Sequence, residues 1–164
     1  MATFKGSAVT LAGKVLNVGD KAPEVSLVAG DLSAKKIGGA SGKFQIINVV
    51  PSLDTPVCAT QTRTFNEKAA ALPNTEVFVV SVDLPFAQGR FCSTEGIKNV
   101  TALSDFKDKA FANAYGVLVA DSPLAGLLTR AVFVVNPNGE IVHKEIVEEI
   151  TAEPNYDAAL NAVK

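Results

Sequence analysis

The sequence predicts an α/β fold in which a mixed β-sheet is flanked by helices. Three runs of apolar, mostly β-branched residues have the composition of strands buried on both faces: FQIINVV (44–50), EVFVVSVD (76–83) and RAVFVVNP (130–137). Helix-like segments are predicted between these runs, at about residues 56–72, 86–96 and 107–115. After the last run, a Pro-Asn-Gly turn followed by EIVHKEIV predicts an antiparallel hairpin. Buried strands that alternate with helices and end in a hairpin are typical of a mixed-sheet domain.

The first third of the chain is predicted to extend this core. Residues 3–20 are interpreted as a small β-hairpin, residues 24–31 as a further extended piece, and the glycine-rich KKIGGASGK (35–43) as a surface loop. The tail, residues 154–164, is predicted to be a closing helix. No repeat or linker divides the chain, so residues 1–164 are expected to form a single domain. This order of elements resembles the thioredoxin-like fold, with an N-terminal β-hairpin extension.

The composition indicates a globular protein with no nucleic-acid or membrane partner. Of 164 residues, 48% are hydrophobic and 20% are charged, and the formal net charge is −2 with both signs interspersed. No stretch approaches the roughly 20 uninterrupted apolar residues of a membrane helix, and the N-terminus lacks the apolar segment of a secretory signal. Two cysteines are too few for a disulfide scaffold, so we expect a reducing, cytoplasmic location.

The segment PSLDTPVC (51–58) places one of these cysteines directly behind a proline-containing turn. Thr55 is a favoured N-cap and Pro56 a favoured first helical residue, so Cys58 falls at about the third helical position. The unpaired N–H groups and the dipole of a helix start favour a thiolate there. Helical spacing predicts that Cys58 lies in a recess against the sheet, on one face with Phe65, Ala69 and Leu72. The alternative is a small, buried and inert residue.

The second cysteine, Cys92, lies in a short helix-like segment that carries Gly89 in its interior. An interior glycine costs about 1 kcal/mol relative to alanine, so this helix is expected to be marginal and able to open locally. A disulfide requires Cα atoms within about 7 Å. Local opening of this helix can bring Cys92 within that distance of Cys58. It is the only possible partner for Cys58 within the chain, unless it is a buried cysteine that never reacts.

Other cysteine chemistry fits the sequence poorly. Gln61 stands where a thioredoxin-type Cys-x-x-Cys site has its second cysteine. Two widely separated cysteines and a single histidine, His143, have no closed zinc spacing, so no metal site is expected. His143 alternates along the predicted hairpin strand and is most simply a solvent-facing residue.

Pro51, Thr55 and Cys58 together resemble the Pro-x-x-x-Thr-x-x-Cys active-site motif of the peroxiredoxins. The segments VGDKAPEVSL and DLPFAQGRFC, and Arg130 at the head of a late strand, fit this family too. More narrowly, the N-terminal hairpin and the position of Cys92 resemble the thiol peroxidase subgroup, the bacterial atypical two-cysteine type.

The resemblance implies a peroxidase that needs no cofactor, because electrons pass through sulfur alone. Cys58 would be the peroxidatic nucleophile, oxidised to a sulfenic acid by hydrogen peroxide or an alkyl hydroperoxide. Cys92 would resolve it as an intrachain disulfide that thioredoxin reduces. Thr55 would hydrogen-bond the thiolate and the peroxide, Arg130 would stabilise the thiolate and polarise the O–O bond, and Pro51 would shield the sulfur. Members of the subgroup are typically homodimers, so the same is expected here.

Two functions of other classes are open at this point. The domain could be a redox-sensing, thioredoxin-like binding protein whose disulfide switches a partner interface, or an inactive scaffold with inert thiols. A sensor needs a reactive Cys58 but not the complete set of Thr55 and Arg130, so that set favours an enzyme. Without the resemblance, Arg130 would be interpreted as a surface residue at the sheet edge.

Overall fold

A seven-stranded mixed sheet forms the centre of the computed structural model, which describes residues 2–69 and 71–163. Its strand order is β11-β10-β6-β7-β8-β4-β5, with β6, β7 and β8 parallel and the other neighbours antiparallel. In chain order the elements are β1 (Thr3–Phe4), β2 (Ser7–Ala8), β3 (Leu11–Ala12), β4 (Val25–Val28), β5 (Ala34–Ile37), β6 (Phe44–Val49), α1 (Pro56–Ala69), β7 (Thr75–Ser81), α2 (Pro85–Glu95), β8 (Thr101–Ser104), α3 (Ala110–Tyr115), β9 (Leu118–Val119), β10 (Ala131–Val135), β11 (Ile141–Ile146) and α4 (Tyr156–Asn161).

Successive residues of the central strands point to opposite faces of the sheet and build two cores. On one face α3 packs through Phe111 and Tyr115, whose rings stack with centroids 4.3 Å apart. On the other face, α1, α2 and α4 cover a second core, called the Cys58 core below. Its buried members are Ile46, Val50, Leu53, Cys58, Phe65, Val77, Val79, Ile97, Val100, Val132, Val134 and Ala159. The predicted mixed sheet flanked by helices is confirmed.

The N-terminal hairpin is confirmed but is shorter than predicted. Strands β1 and β2 pair through Thr3 with Ala8 and Phe4 with Ser7. The predicted second half, residues 14–20, forms no strand, and β3 instead pairs with β9 in a separate two-stranded sheet. Short apolar pairs such as β9 carry too little periodic pattern to be found from sequence.

The predicted loop at residues 35–43 is wrong in its first part, because Lys35, Lys36 and Ile37 belong to the edge strand β5. Ile37 is buried under the sheet, whereas Lys36 is exposed. Lys35 pairs with Glu76 at 3.7 Å. Lysines on an edge strand oppose pairing with other chains. The glycine-rich, lysine-containing pattern therefore predicted a loop where the chain forms an edge strand, because the lysines that oppose pairing with other chains are also typical of loops.

The helices begin and end close to their predicted limits, and α4 confirms the closing helix. Helix α3 starts three residues late because Lys109 has a left-handed φ of 53°. The carboxylate of Asp105 accepts hydrogen bonds from the amides of Phe111 (3.1 Å) and Ala112 (2.9 Å) and fixes this start. Within residues 2–69 and 71–163, none of the helices is long and apolar enough to cross a membrane.

Candidate active site

Helix α1 begins at Pro56, so Cys58 is its third residue, as predicted. The backbone carbonyl of Thr55 accepts from the amide of Ala59 at 2.9 Å, which makes Thr55 the N-cap. The Cys58 side chain is fully buried in the Cys58 core, with Phe65 seven residues further along the same face. Leu72 packs against this core, while the Ala69 side chain lies outside the described residues. The prediction that Cys58 packs against the sheet is confirmed, and its full burial is equally what the alternative of a buried, inert cysteine predicts.

A carboxylate from another element holds the turn that precedes Cys58. Asp83, between β7 and α2, accepts from the Ser52 hydroxyl at 2.7 Å and from the Leu53 amide at 2.8 Å. The Ser81 hydroxyl donates to the same carboxylate at 2.7 Å. This turn is therefore tied to the segment that leads into the Cys92 helix. The sequence analysis assigned no role to Asp83, although its place directly after a buried strand, as the first residue of DLPFAQGRFC, was a usable signal.

Pro51 and Thr55 flank this turn in different environments. Pro51 is buried, and it follows the end of β6. Thr55 is exposed, and its hydroxyl donates to the carbonyl of Ser52 at 3.0 Å. The thiolate contact expected of Thr55 and the shielding role expected of Pro51 stay predictions.

Arg130 is buried, with 3% of its surface exposed, so the interpretation as a surface residue at the sheet edge is wrong. Strand β10 lies between β6 and β11, inside the sheet. Two-residue alternation places Arg130 on the face of Val132 and Val134, which is the face covered by α1. Its Nε donates to the carbonyl of Ile150 at 2.7 Å and its Nη1 donates to Oε1 of Gln61 at 2.9 Å.

No carboxylate lies within ion-pair distance of this buried cation among residues 2–69 and 71–163, where the ion pairs found are Lys35–Glu76 and Arg63–Glu95. An unpaired buried charge is costly to a fold. Gln61 lies one helical turn after Cys58, and residues spaced by three on a helix have Cβ atoms roughly 5–6 Å apart. The guanidinium is thereby attached to the same stretch of α1 as the thiol.

Cys92 is half-buried and packs against the Cys58 core, so the two free thiols share one apolar cluster. Burial raises the pKa of the Cys92 thiol above its ordinary value, which keeps it protonated in the folded helix. Helix α2 carries this residue and buries only Pro85 and Gln88. Gly89 occupies its interior, and Gly96 ends it in the left-handed conformation with φ 66°. These features agree with the marginal helix predicted from the sequence.

A groove of about 700 Å³ runs between the start of α1 and helix α2. Thr55, Pro56 and Ala59 line one side, and Ala87 and Phe91 line the other. Arg63 on α1 and Glu95 on α2 form an ion pair that joins the two helices at this groove. Cys58 lies behind the groove rather than on its wall, because it is fully buried.

His143 is half-buried rather than solvent-facing, which corrects the sequence interpretation. It pairs with Val134 across β10 and β11, and its Nε2 is shielded from solvent without a hydrogen-bond partner among the described residues. Burial lowers the pKa of this imidazole, and the charge of Glu145 partly opposes that effect.

Residues 17–160, which include both cysteines, match the family model described as Redoxin. A thiol peroxidase of Campylobacter jejuni is 57% identical over 152 residues, covering 93% of this chain and 86% of that protein. A thiol peroxidase of Aquifex aeolicus is 51% identical over 161 residues, covering 98% and 95%. The crystal structure of a peroxiredoxin-like protein from Aquifex aeolicus has a TM-score of 0.96 at 49% identity, covering 99% of this chain and 94% of that one.

Proposed function

Because this chain belongs to the redoxin family, and within it to the thiol peroxidases, we propose that Cys58 is the residue that reduces the hydroperoxide. The protein is a peroxiredoxin-type, thiol-dependent peroxidase. In the proposed first step the Cys58 thiolate attacks the terminal peroxide oxygen. The S–O bond forms as the O–O bond breaks, the sulfur loses two electrons, and the leaving alkoxide or hydroxide takes a proton.

The observation that carries this proposal is the uncompensated charge of Arg130 beside the Cys58 helix. A buried guanidinium bound only to neutral acceptors stabilises negative charge nearby, and such stabilisation is stronger where water is excluded. In the ground state that charge is the thiolate, and in the transition state it is the departing peroxide oxygen. The start of α1 adds unpaired amides near the same sulfur. We propose that the Thr55 hydroxyl hydrogen-bonds the Cys58 thiolate and the peroxide. We propose that Pro51 keeps water away from the Cys58 sulfur.

We propose that Cys92 resolves the sulfenic acid. Its sulfur attacks that of Cys58, an S–S bond forms, and water leaves, so no electrons enter or leave the chain in this step. The shared apolar core supports this pairing, because it already holds both side chains on one side of the sheet. The marginal α2 supports local opening, which also relieves the burial that keeps the Cys92 thiol protonated.

We further propose hydrogen peroxide and alkyl hydroperoxides as substrates and thioredoxin as the reductant. Thioredoxin would attack the disulfide, pass through a mixed disulfide, and leave both thiols reduced. A homodimer and a cytoplasmic location complete the proposal. The dimer is tested by sedimentation of the pure chain. The location is supported by the cysteine count, because two cysteines are too few for the disulfide scaffold of a small secreted domain.

The test is steady-state turnover with thioredoxin and its reductase, comparing hydrogen peroxide with an organic hydroperoxide. Cys58→Ser should abolish peroxide consumption, because serine is not ionised at neutral pH. Cys92→Ser should complete one turnover and then stop with thioredoxin. Turnover retained by Cys58→Ser refutes the first assignment, and normal thioredoxin cycling by Cys92→Ser refutes the second.

A further inference from the structure

Asn66 joins the middle of α1 to the segment that follows α2. Its Oδ1 accepts hydrogen bonds from the amide of Lys98 at 2.9 Å and from the amide of Asn99 at 2.7 Å. The Asn99 side chain returns the contact, because its Nδ2 donates to the backbone carbonyl of Asn66 at 2.9 Å. These three bonds, called the Asn66 anchor below, fix the chain just beyond the helix that carries Cys92.

The anchor lies outside the part of α2 that has to open for Cys92 to react. The helix ends with bonds from the amides of Gly96 and Ile97 to the carbonyl of Cys92, the second at 2.9 Å. Moving Cys92 out of the helix breaks these two bonds but requires no change in the anchor. None of residues 89–96 is fully buried, whereas Gln88 before them and Ile97 after them are. The burial pattern therefore indicates that residues 89–96 are the segment that opens.

The other end of this segment is held by Gln88. Its side chain is buried, and its Nε2 donates to the Ser81 hydroxyl at 3.0 Å and to the Leu103 carbonyl at 2.8 Å. Both acceptors belong to strands of the central sheet, β7 and β8. Cys92 thus lies in the middle of a segment of eight residues (89 to 96) that is fixed at both ends.

The Asn66 anchor does not depend on contacts that change during the reaction. Ile97 and Val100 also hold the chain after α2, but they are buried in the Cys58 core, whose packing changes when both cysteines move. Asn66 lies eight residues after Cys58 (66 − 58), which is just over two helical turns further along α1. Opening at the start of α1 therefore leaves the anchor in place.

We propose that Asn66 is a positioning residue for the resolving step. In that step the Cys92 sulfur attacks the sulfenic sulfur of Cys58, the S–S bond forms, and the sulfenic OH leaves with the Cys92 proton as water. Asn66 holds the end of the opened segment beside α1, so that Cys92 stays within reach of Cys58. The ion pair of Arg63 and Glu95 differs from the anchor, because it lies on the segment that opens and breaks with it. The inference rests on the proposed resolving role of Cys92.

Loss of the anchor should slow the formation of the disulfide. Without it, the next residue held by the sheet is Thr101 in β8, and the free segment grows from eight residues (89 to 96) to twelve (89 to 100). The effective concentration of a group on a flexible loop falls as about the −3/2 power of loop length, which gives about a twofold loss. A contact that only stabilises closed α2 predicts the opposite sign, because its removal opens the helix more often.

Two substitutions at Asn66 separate these roles. Asn66→Leu removes the acceptor of both amides, whereas Asn66→Asp keeps it, since a carboxylate oxygen accepts in place of Oδ1. The control is Asn113→Ala, at an exposed position of α3 on the other face of the sheet.

Two rates are measured in each protein. The first is the rate of Cys58–Cys92 disulfide formation after mixing with hydrogen peroxide, at peroxide concentrations high enough that this rate no longer depends on them. The second is the rate of maleimide labelling at Cys92 in a Cys58→Ser background, which reports the opening of α2. We expect Asn66→Leu to form the disulfide about twofold more slowly than the parent, with unchanged labelling of Cys92. Asn66→Asp and Asn113→Ala should match the parent in both rates.

Several results overturn the inference. A disulfide rate in Asn66→Leu that equals or exceeds that of the parent is one, and an equal loss in Asn66→Asp is another. Faster labelling of Cys92 in Asn66→Leu also overturns it, because the anchor would then stabilise closed α2. If Asn66→Leu does not fold, Asn99→Ala replaces it, since this variant removes one bond of the anchor, and a disulfide rate at or above the parent's overturns the inference. A parent protein that forms no Cys58–Cys92 disulfide is a different failure, because it removes the proposed role of Cys92 itself.

Discussion

Gly89→Ala should slow formation of the disulfide without changing the first reaction with peroxide. Gly89 lies inside α2, is exposed, and has no atom within 4 Å of the position where a Cβ would be built. Alanine therefore fits without a clash and gains the full difference in helix propensity, about 1 kcal/mol. A change of about 1.4 kcal/mol is a factor of ten in an equilibrium constant, so about 1 kcal/mol lowers the population of open α2 about fivefold. The rate of disulfide formation falls by the same factor where α2 opens and closes faster than Cys92 attacks.

The assay mixes reduced protein with one equivalent of hydrogen peroxide, quenches with acid, and follows the Cys58–Cys92 disulfide by mass spectrometry. Gly30→Ala is the matched control: Gly30 is exposed, has no atom within 4 Å of a built Cβ, and lies outside α2 in the turn after β4. We expect the disulfide to form about fivefold more slowly in Gly89→Ala than in the parent protein. In Gly30→Ala it should form at the parent rate. An unchanged rate in Gly89→Ala refutes the reasoning that α2 must unfold before Cys92 reacts. Equal slowing in both variants also refutes it.

Three further predictions concern the same region. Asp83→Ala removes the acceptor of three hydrogen bonds and should lower both the melting temperature and the rate of Cys58 oxidation; Asp83→Asn, which keeps one acceptor oxygen, should be milder, and equal losses would contradict this account. Glu95→Gln breaks the ion pair with Arg63 and should speed disulfide formation by up to about fivefold, the effect of about 1 kcal/mol, with the gain vanishing at high salt. Burial raises the pKa of the Cys92 thiol, so the protonated thiol stabilises closed α2 fully at pH values below the ordinary cysteine pKa. This stabilisation is lost as the pH rises through the raised pKa of Cys92 in the folded helix. The measurement is the rate of maleimide labelling of Cys92 in Cys58→Ser, divided at each pH by the thiolate fraction of a free cysteine. This corrected rate should rise at alkaline pH as α2 opens more often, and a corrected rate that does not change with pH would contradict the prediction.

The parts of the fold that the sequence predicted are those with a strong local pattern. The apolar runs at 44–50 and 130–137 predicted central strands because both faces of these strands are covered, by α3 on one side and the Cys58 core on the other. Edge strand β5 was missed because one of its faces is exposed and its lysines oppose pairing with other chains. Such a strand has the composition of a loop.

The site was predictable where its residues are close in sequence. A proline at the first helical position and a cysteine two residues later define the start of α1 without any tertiary information. The burial of Arg130 was not predictable, because it depends on Gln61 and Ile150, which are brought to it only by the folded sheet. The anchoring of the turn by Asp83 and the half-burial of His143 depend likewise on contacts between distant segments.

The most direct test of the account is the mass spectrum of the reduced protein after one equivalent of hydrogen peroxide. The account predicts that the intact mass falls by the two thiol hydrogens and that digestion yields one peptide pair joined through Cys58 and Cys92. Free thiols at both positions after exposure, or a stably oxidised Cys58 with Cys92 still free, would contradict it.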